Sequence, residues 1–293
     1  MSSDDPTLRD VPQTPAAHTV RLGLVGRGIQ LSRTPGMHEA EGAAQGLPVR
    51  YDLLDTDVGT EGTLAEILDR AEAEGFAGLN VTYPYKQEVL ALVDHLSDAA
   101  RRVGAVNMVV FRDGRRFGHN TDFWGFREAL RRGLPDAALD TVLLIGAGGA
   151  GGAVGHALHE LGAARILIAD SRPDAAGVLA AGIGRGAEAT QDLAGAAATA
   201  TGLVNATPMG MAKMPGLPLD PALLSPRHWV ADIVYFPLRT DLLRRAEAAG
   251  CRTLSGEGMA VLQAVRAFEL FTGRPADAGR MAARFHALGD ALR

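Results

Sequence analysis

The 293-residue chain has a single cysteine, Cys251, which excludes an internal disulfide framework and suits a reducing compartment. Set between Gly250 and Arg252 and leading into Thr253-Leu254, that cysteine reads as a small apolar strand residue rather than a nucleophile. No apolar run is long enough to span a membrane, and no secretory leader opens the chain. Residues 1–19 are instead polar and proline-rich, the composition of a disordered tail. Lys and Arg form no run interleaved with aromatics, and the formal net charge of -5 gives nucleic acid no purchase. Metal-protease spacing is missing. His156 and His159 lie one helical turn apart without a third ligand and read as surface or interdomain histidines. A GxSxG nucleophile elbow is also lacking, since Leu254-Ser255-Gly256 has no first glycine. These absences, with 47% hydrophobic and 22% charged residues, leave an ordinary globular protein expected in the cytoplasm, with no metal, nucleic-acid or membrane partner.

What is present is most informative at Val142-Leu143-Leu144-Ile145-Gly146-Ala147-Gly148-Gly149-Ala150. Strand-forming residues run into closely spaced glycines, an Ala-rich helical pattern follows to about Gly162, and the next apolar run, Ala164 to Ala169, ends in Asp170. A strand, a glycine turn, a helix and a second strand ending in an acid make a dinucleotide site. Glycine lets backbone N–H groups approach a pyrophosphate at the positive end of the helix. Asp170 is placed to accept from adenosine ribose hydroxyls and to repel a 2′-phosphate, which predicts NAD rather than NADP.

Along the chain, strands are expected at Val20 to Gly26, Phe76 to Val81, Val106 to Phe111 and Arg116 to Gly118, the last two joined by a turn at Asp113-Gly114. Thr63 to Gly75 places Leu64, Ile67, Leu68 and Ala71 on one helical face, and helical periodicity returns at Gln87 to Val93. Phe123 to Arg132 reads as a linking helix. Strands then follow at Thr141–Ile145, Arg165–Ala169, Gly202–Asn205, His228–Ile233 and Arg252–Leu254, with Ala194–Ala200 as a helix end. Helices over Gly258 to Leu270 and Asp277 to Leu292 finish the chain. The fold class is α/β. A first α/β domain over 20–122 is completed by 274–293, the last helix packing back on it, and a Rossmann-like doubly wound domain covers 123–273.

Ligands of open parallel sheets sit beyond the carboxyl ends of the strands. That rule selects Gly26 to Pro35, Asn80 to Lys86, Asn107, Gly118 to Asp122 and, on the cofactor side, Asn205 to Met211. The residue types suit a small polyhydroxylated carboxylic acid. Ser32 and Thr34 offer hydroxyls for a carboxylate beside a helix start, and Thr82, Asn107 and Asn120 suit ring hydroxyls. Lys86 and Asp122 are the evident acid–base pair. Plainer readings stay open: Ser32 and Thr34 as helix caps, Thr82 as a turn residue, Lys86 as a solvated side chain, Asp122 as a cap for the following helix. Met209, Met211 and Met214 lie in a Gly/Pro-rich loop and suit a soft lid over nicotinamide.

Taken together these blocks, with Gly104-Ala105-Val106-Asn107, Gly118-His119-Asn120-Thr121-Asp122-Phe123-Trp124-Gly125 and Gly258-Met259-Ala260-Val261-Leu262-Gln263, resemble the shikimate dehydrogenase family, and within it the quinate/shikimate branch. The resemblance implies reversible hydride transfer between NAD and the C3 position of shikimate or quinate, in a cleft between a substrate domain and a nucleotide domain. It implies Lys86 and Asp122 as the catalytic pair and Ser32 and Thr34 on the carboxylate. Thr82, Asn107 and Gln263 would lie on ring hydroxyls, with Tyr235 nearby. Cofactor-binding residues would be Gly146, Ala147, Gly148, Gly149, Ala150, Asp170, Arg172, Asn205, Thr207, Met211 and Gly256. The partner is then a hydroxylated cyclohexane or cyclohexene carboxylate, and the protein a monomer or homodimer of quinate metabolism or aromatic amino acid biosynthesis.

Two departures from the biosynthetic pattern stand out. The segment reads Ser32-Arg33-Thr34-Pro35-Gly36-Met37-His38-Glu39, with threonine for the usual second serine, which resembles the quinate-using branch. Asp170-Ser171-Arg172-Pro173 puts an acid where NADP-specific members carry Asn-Arg-Thr; Asp170 is expected to dominate, and Arg172 leaves room for weaker NADP use. The rival readings are an NADP-linked, strictly shikimate-specific biosynthetic enzyme and a catalytically silent nucleotide-binding regulator. A methylene-tetrahydrofolate dehydrogenase-like protein shares the plan but fits the substrate-side residues less well.

Overall fold

The structure, a computed structural model, describes residues 18–290; the expected disordered tail lies outside these residues except for His18 and Thr19, which are exposed. The chain divides into two units, Met1–Thr121 with Gln263–Arg293, and Asp122–Leu262.

In the first unit the elements are β1 (Val20–Gly26), α1 (Thr34–Ala44), β2 (Val49–Asp55), α2 (Leu64–Ala73), β3 (Phe76–Val81), a 3-10 turn at Glu88–Leu92, β4 (His95–Leu96), α3 (Asp98–Val103), β5 (Met108–Arg112) and β6 (Arg115–His119). Their sheet runs β2-β1-β3-β5-β6-β4. β1 is parallel to both neighbours, whereas β3, β5 and β6 are antiparallel in turn. Local chemistry accounts for the clearest elements. A reciprocal cap starts α2: the Thr63 hydroxyl accepts from Glu66 N–H at 3.3 Å, and the Glu66 carboxylate accepts from Thr63 N–H at 2.8 Å. The face so started buries Leu64, Ile67, Leu68 and Ala71. Asp113 and Gly114 both take positive φ (52° and 67°), the turn that a two-residue hairpin needs. Gln87 to Val93, expected as a helix, forms only the short 3-10 turn.

The described part of the last helix, α10 (Ala278–Asp290), packs along α1. Glu41, fully buried in α1, accepts from Arg280 Nε and Nη2 at 2.7 and 2.9 Å, from Asp277 N–H at 3.0 Å and from Gln45 Nε2 at 2.7 Å. Burial pushes the Glu41 pKa up, but these donors outweigh it and hold the carboxyl below its usual range. Helix α9 (Glu257–Thr272) contributes its later turns to the same unit. Phe271 fills the space that a side chain at Gly78 would need, a Cβ there lying 2.5 Å from its ring, and the Phe268 ring is 6.0 Å from that of His38. Residues 263–273 lie with the first unit, whose limits fall at 121/122 and 262/263.

The second unit begins in helix α4 (Thr121–Gly133) and continues with β7 (Thr141–Ile145), α5 (Gly149–Glu160), β8 (Arg165–Ala169), α6 (Pro173–Ile183), β9 (Ala187–Ala189), α7 (Leu193–Thr199), β10 (Gly202–Asn205), β11 (Trp229–Asp232), α8 (Asp241–Ala248) and β12 (Arg252–Leu254). All pairs are parallel, in the order β12-β11-β10-β7-β8-β9. Leu143, Leu167, Leu203 and Val230 build the core on one face against α7 and α8. Gly202 has no room for a side chain, because its Cβ would sit 2.1 Å from the Trp229 indole, whose N–H donates to Ala138 C=O at 2.8 Å. Cys251 lies just before β12, buried, with Sγ 3.2 Å from Ser225 C=O; burial raises its pKa, so the thiol is kept protonated. His159 is exposed as expected, but His156 is buried on the inner face of α5. Among the described residues, no group of three or more His, Cys, Asp or Glu could hold a metal, and no helix is long and apolar enough to cross a membrane.

Candidate active site

In the first unit the carboxyl ends of β2, β1 and β3 lie side by side, and three of the selected segments start there. Gly26 ends β1 against the β3 loop: Thr82 N–H donates to Val25 C=O at 3.0 Å, Arg27 N–H to Tyr83 C=O at 3.0 Å, and a Cβ on Gly26 would lie 2.3 Å from Thr82 Cγ2. Only glycine lets the two loops meet this closely. Ser32 is half-buried, and its Oγ accepts from Thr34 N–H at 3.3 Å; Thr34 opens α1, with Pro35 in the first turn. Lys86 is half-buried at the end of the β3 loop, where its carbonyl accepts from Val106 N–H at 2.8 Å.

Asn107 precedes β5 and does more than line a surface. Its Oδ1 accepts from Thr121 N–H at 2.7 Å and its Nδ2 donates to Thr121 Oγ1 at 2.9 Å, so it fixes the start of α4. Thr121 Oγ1 also lies 3.4 Å from Gln263 Oε1. Asn107 and Gln263, expected together, are thus joined through Thr121, a residue the sequence reading passed over inside its own motif. Asn120 turns its amide to Ala105 C=O at 2.9 Å. Asp122, the first residue of the second unit, is buried in the first turn of α4.

In the second unit, Gly146 directly follows β7 with φ +107°, and a Cβ on it would strike the Ala206 carbonyl at 2.8 Å. Helix α5 begins at Gly149, and a Cβ on Gly151 would lie 2.0 Å from Gly146 C=O. Gly151 is the third glycine of a G-x-G-x-x-G turn; it lies one residue beyond the Gly146–Ala150 block, and its spacing from Gly148 is the signal that marks it. Asp170, directly after β8, reaches into this turn: Oδ2 accepts from Ala147 N–H at 2.7 Å and Oδ1 from Arg172 N–H at 2.8 Å. Burial raises its pKa, but those N–H groups and Arg172, 3.6 Å away, outweigh it and keep the carboxylate ionised.

The loop after β10 is tied from within. Asn205 Oδ1 accepts from Thr207 N–H and Oγ1 at 3.0 and 2.7 Å, and its Nδ2 donates to Met209 C=O and to Asp232 Oδ1 at 3.0 and 2.9 Å. Asp232 also accepts from Val234 N–H at 3.0 Å and from Thr240 Oγ1 at 2.7 Å, and burial pushes its pKa up. Asn205 is therefore a loop-builder, and Asp232 with Thr240 is its support. Met211 and Met214 are bridged to each other by backbone bonding and are 38% and 46% exposed. Tyr235 is 42% exposed beyond β11, and Gly256 packs so closely that a Cβ would lie 2.3 Å from Ile233 C=O.

A doubly wound sheet of this order, with a three-glycine turn whose first and third glycines, Gly146 and Gly151, have no room for side chains, and an acid after its second strand, defines a dinucleotide-dependent oxidoreductase. Comparison with known proteins takes this further. The shikimate dehydrogenase substrate binding domain matches residues 24–109, and the shikimate 5'-dehydrogenase C-terminal domain matches residues 256–284. A quinate/shikimate dehydrogenase (NAD(+)) of Corynebacterium efficiens is 50% identical over 92% of this chain and 99% of its own. A shikimate dehydrogenase (NADP(+)) of Streptomyces avermitilis is 50% identical over 89% and 93%. Among solved structures, quinate dehydrogenase from Corynebacterium glutamicum in complex with NAD superimposes with a TM-score of 0.87 at 46% identity, covering 92% of this chain and 99% of that one. The chain belongs to the shikimate dehydrogenase family.

Proposed function

We propose that this protein is an NAD-linked quinate/shikimate dehydrogenase, interconverting the C3 alcohol of quinate or shikimate and the 3-keto acid, 3-dehydroquinate or 3-dehydroshikimate. The observation that carries the cofactor choice is Asp170: its carboxylate, held on Ala147 N–H inside the glycine turn, puts negative charge where a ribose 2′-phosphate would have to lie. The substrate choice draws on Thr34, whose extra methyl group reshapes the carboxylate end of the pocket. Bound NAD supplies the hydride acceptor. Gly146, Gly148 and Gly151, with the N-terminus of α5, would cradle its pyrophosphate, and Asp170 its ribose; Thr207, Met211 and Gly256 would face the rest.

On the other reactant, Ser32 and Thr34 hold the carboxylate, and Thr82, Asn107 and Gln263 orient the ring hydroxyls, with Tyr235 alongside. Neutral Lys86 takes the C3 hydroxyl proton during oxidation and, as the ammonium, returns it during reduction. Asp122 orients the same hydroxyl and stabilises the ammonium. In this reading residues 20–122 with the last helix form the substrate domain, and the protein works in the cytoplasm as a monomer or homodimer. Arg172, with 72% of its side chain exposed beside Asp170, favours a weaker second use of NADP.

Two results are expected. Asp170→Asn removes the repelling charge, and the ratio of kcat/KM with NAD to that with NADP falls by about tenfold to a hundredfold; kinetics with both cofactors measure it, and an unchanged ratio would remove Asp170 from the discrimination. Thr34→Ala raises KM for the ring acid by about tenfold with kcat little changed. A fall in kcat at constant KM would place Thr34 in the chemistry instead.

A further inference from the structure

We infer that Asp55 and Arg33, neither of which need touch the ring acid, are positioning residues that hold the Ser32 and Thr34 hydroxyls in place from opposite sides. The inference rests on the proposed role of those hydroxyls as the carboxylate site.

Asp55 is the last residue of β2, in register with Gly26 at the end of β1, and it is fully buried. Its carboxylate is spent on the loop that follows β1 and on the turn after β2. Oδ1 accepts from Gly28 N–H and Asp57 N–H, both at 3.0 Å, and Oδ2 accepts from Ile29 N–H at 3.1 Å and Gln30 Nε2 at 3.0 Å. Ser32 N–H in turn donates to Ile29 C=O at 2.9 Å, and Ser32 Oγ accepts from Thr34 N–H. A continuous set of bonds therefore runs from a buried anion through Ile29 and Ser32 to the first residue of α1. Gly28, with φ +63°, lets the chain turn so that its N–H and that of Ile29 both face Asp55.

Arg33 secures the other side. Although charged, it is only 7% exposed. Its Nη1 donates to Phe285 C=O at 3.3 Å, its guanidinium lies 4.5 Å from the centre of the Phe285 ring, and it occupies the space beside Gly289, whose Cβ would fall 2.7 Å from Nη1. Gly36 repeats the close approach one turn on, a Cβ there meeting Leu288 at 2.7 Å. The residue between the two hydroxyl-bearing side chains is thus anchored on α10. A loop fixed on both sides has little conformational freedom left to lose when a carboxylate binds, and this preorganisation is expressed as affinity.

The test uses Asp55→Asn, which keeps size but points an amide N–H₂ at backbone donors, and Gly289→Leu, which displaces Arg33 from the far end of the chain. Gln30→Ala, which removes only an exposed side-chain donor, is the mild third variant, and Ser32→Ala is the control. The expected result is a rise of about tenfold in KM for quinate and shikimate in the first two, and a smaller one in the third, with kcat and KM for NAD within about twofold of wild type. Equal rises in both KM values, or a parallel fall in kcat, would show general structural damage and overturn the inference; so would unchanged KM values in all three variants. If Ser32→Ala itself leaves the ring-acid KM unmoved, the carboxylate reading fails first. If Ser32→Ala raises KM while the others do not, only the positioning inference fails. Should Asp55→Asn not fold, Gly289→Leu and Gln30→Ala decide.

Discussion

Replacing Lys86 by alanine is expected to lower kcat for quinate or shikimate oxidation by about a hundredfold to ten-thousandfold, leaving KM for both substrates within a few-fold. The C3 hydroxyl must lose its proton as the carbon is oxidised, and an alcohol does not part with it near neutral pH without a base at hand. Lys86, at the end of the β3 loop, is the proposed base; it is half-buried, and its backbone carbonyl is tied to Val106 N–H. Lys86→Arg should not restore the rate, because a guanidinium stays protonated at every working pH and accepts no proton. Steady-state kinetics at saturating substrate, with thermal unfolding as a folding control, measure both variants. An alanine variant with wild-type kcat would take Lys86 out of the chemistry.

Acidification is expected to destabilise the protein well before its carboxylates titrate, and His38 is the main cause. This side chain is fully buried in α1, against the rings of Tyr51, Phe268 and Phe271, and neither ring nitrogen has a hydrogen-bond partner. Burial lowers its pKa from 6.5 to about 3, against a smaller upward pull from Glu41. The folded protein therefore keeps His38 neutral while the unfolded chain takes up a proton below about pH 6.5. That contribution to stability is intact above this pH and is lost as pH falls, by about 1.4 kcal/mol per unit, reaching on the order of 4–5 kcal/mol near pH 3. Between pH 6.5 and 4.5 the carboxylates of Glu41, Asp55 and Asp170 add little, being held below the usual carboxylate range, while His228, whose pKa burial also lowers, adds to the loss in the same direction. Urea unfolding of the wild type and of His38→Leu across this window tests the idea. The leucine variant should be at least as stable at pH 8 and show a clearly shallower slope; equal slopes in the two proteins would contradict the assignment.

Much of this architecture was legible because its signals are local. The apolar face of α2, the Asp113-Gly114 turn and the glycine turn with Asp170 each involve residues within a few positions or one βαβ unit. Lys86 stood out by its place in a loop directly after a strand and as half of the evident acid–base pair with Asp122. Strand β2 was not legible. It is an edge strand whose seven residues include only two buried ones, so Arg50 and Asp52 broke the apolar pattern. Helix α6 hid in alanine and glycine, which carry little periodicity. The division inside α9 had no sequence mark at all, because nothing interrupts the helix at Leu262-Gln263; membership is decided by where Phe268 and Phe271 pack. Asp55 and Asp232 were invisible as supports for the same reason: most of their partners are backbone groups or residues well removed in sequence.

The account's central claim is a pairing of reactants: a hydroxylated ring acid gripped by hydroxyls, and a coenzyme without a 2′-phosphate. Initial rates with quinate and with shikimate, each with NAD and with NADP, address it in a single set of assays. Turnover of both acids with NAD is expected, with a kcat/KM with NADP lower by about tenfold or more. Turnover of shikimate alone and only with NADP, or none in any of the four combinations, would contradict it.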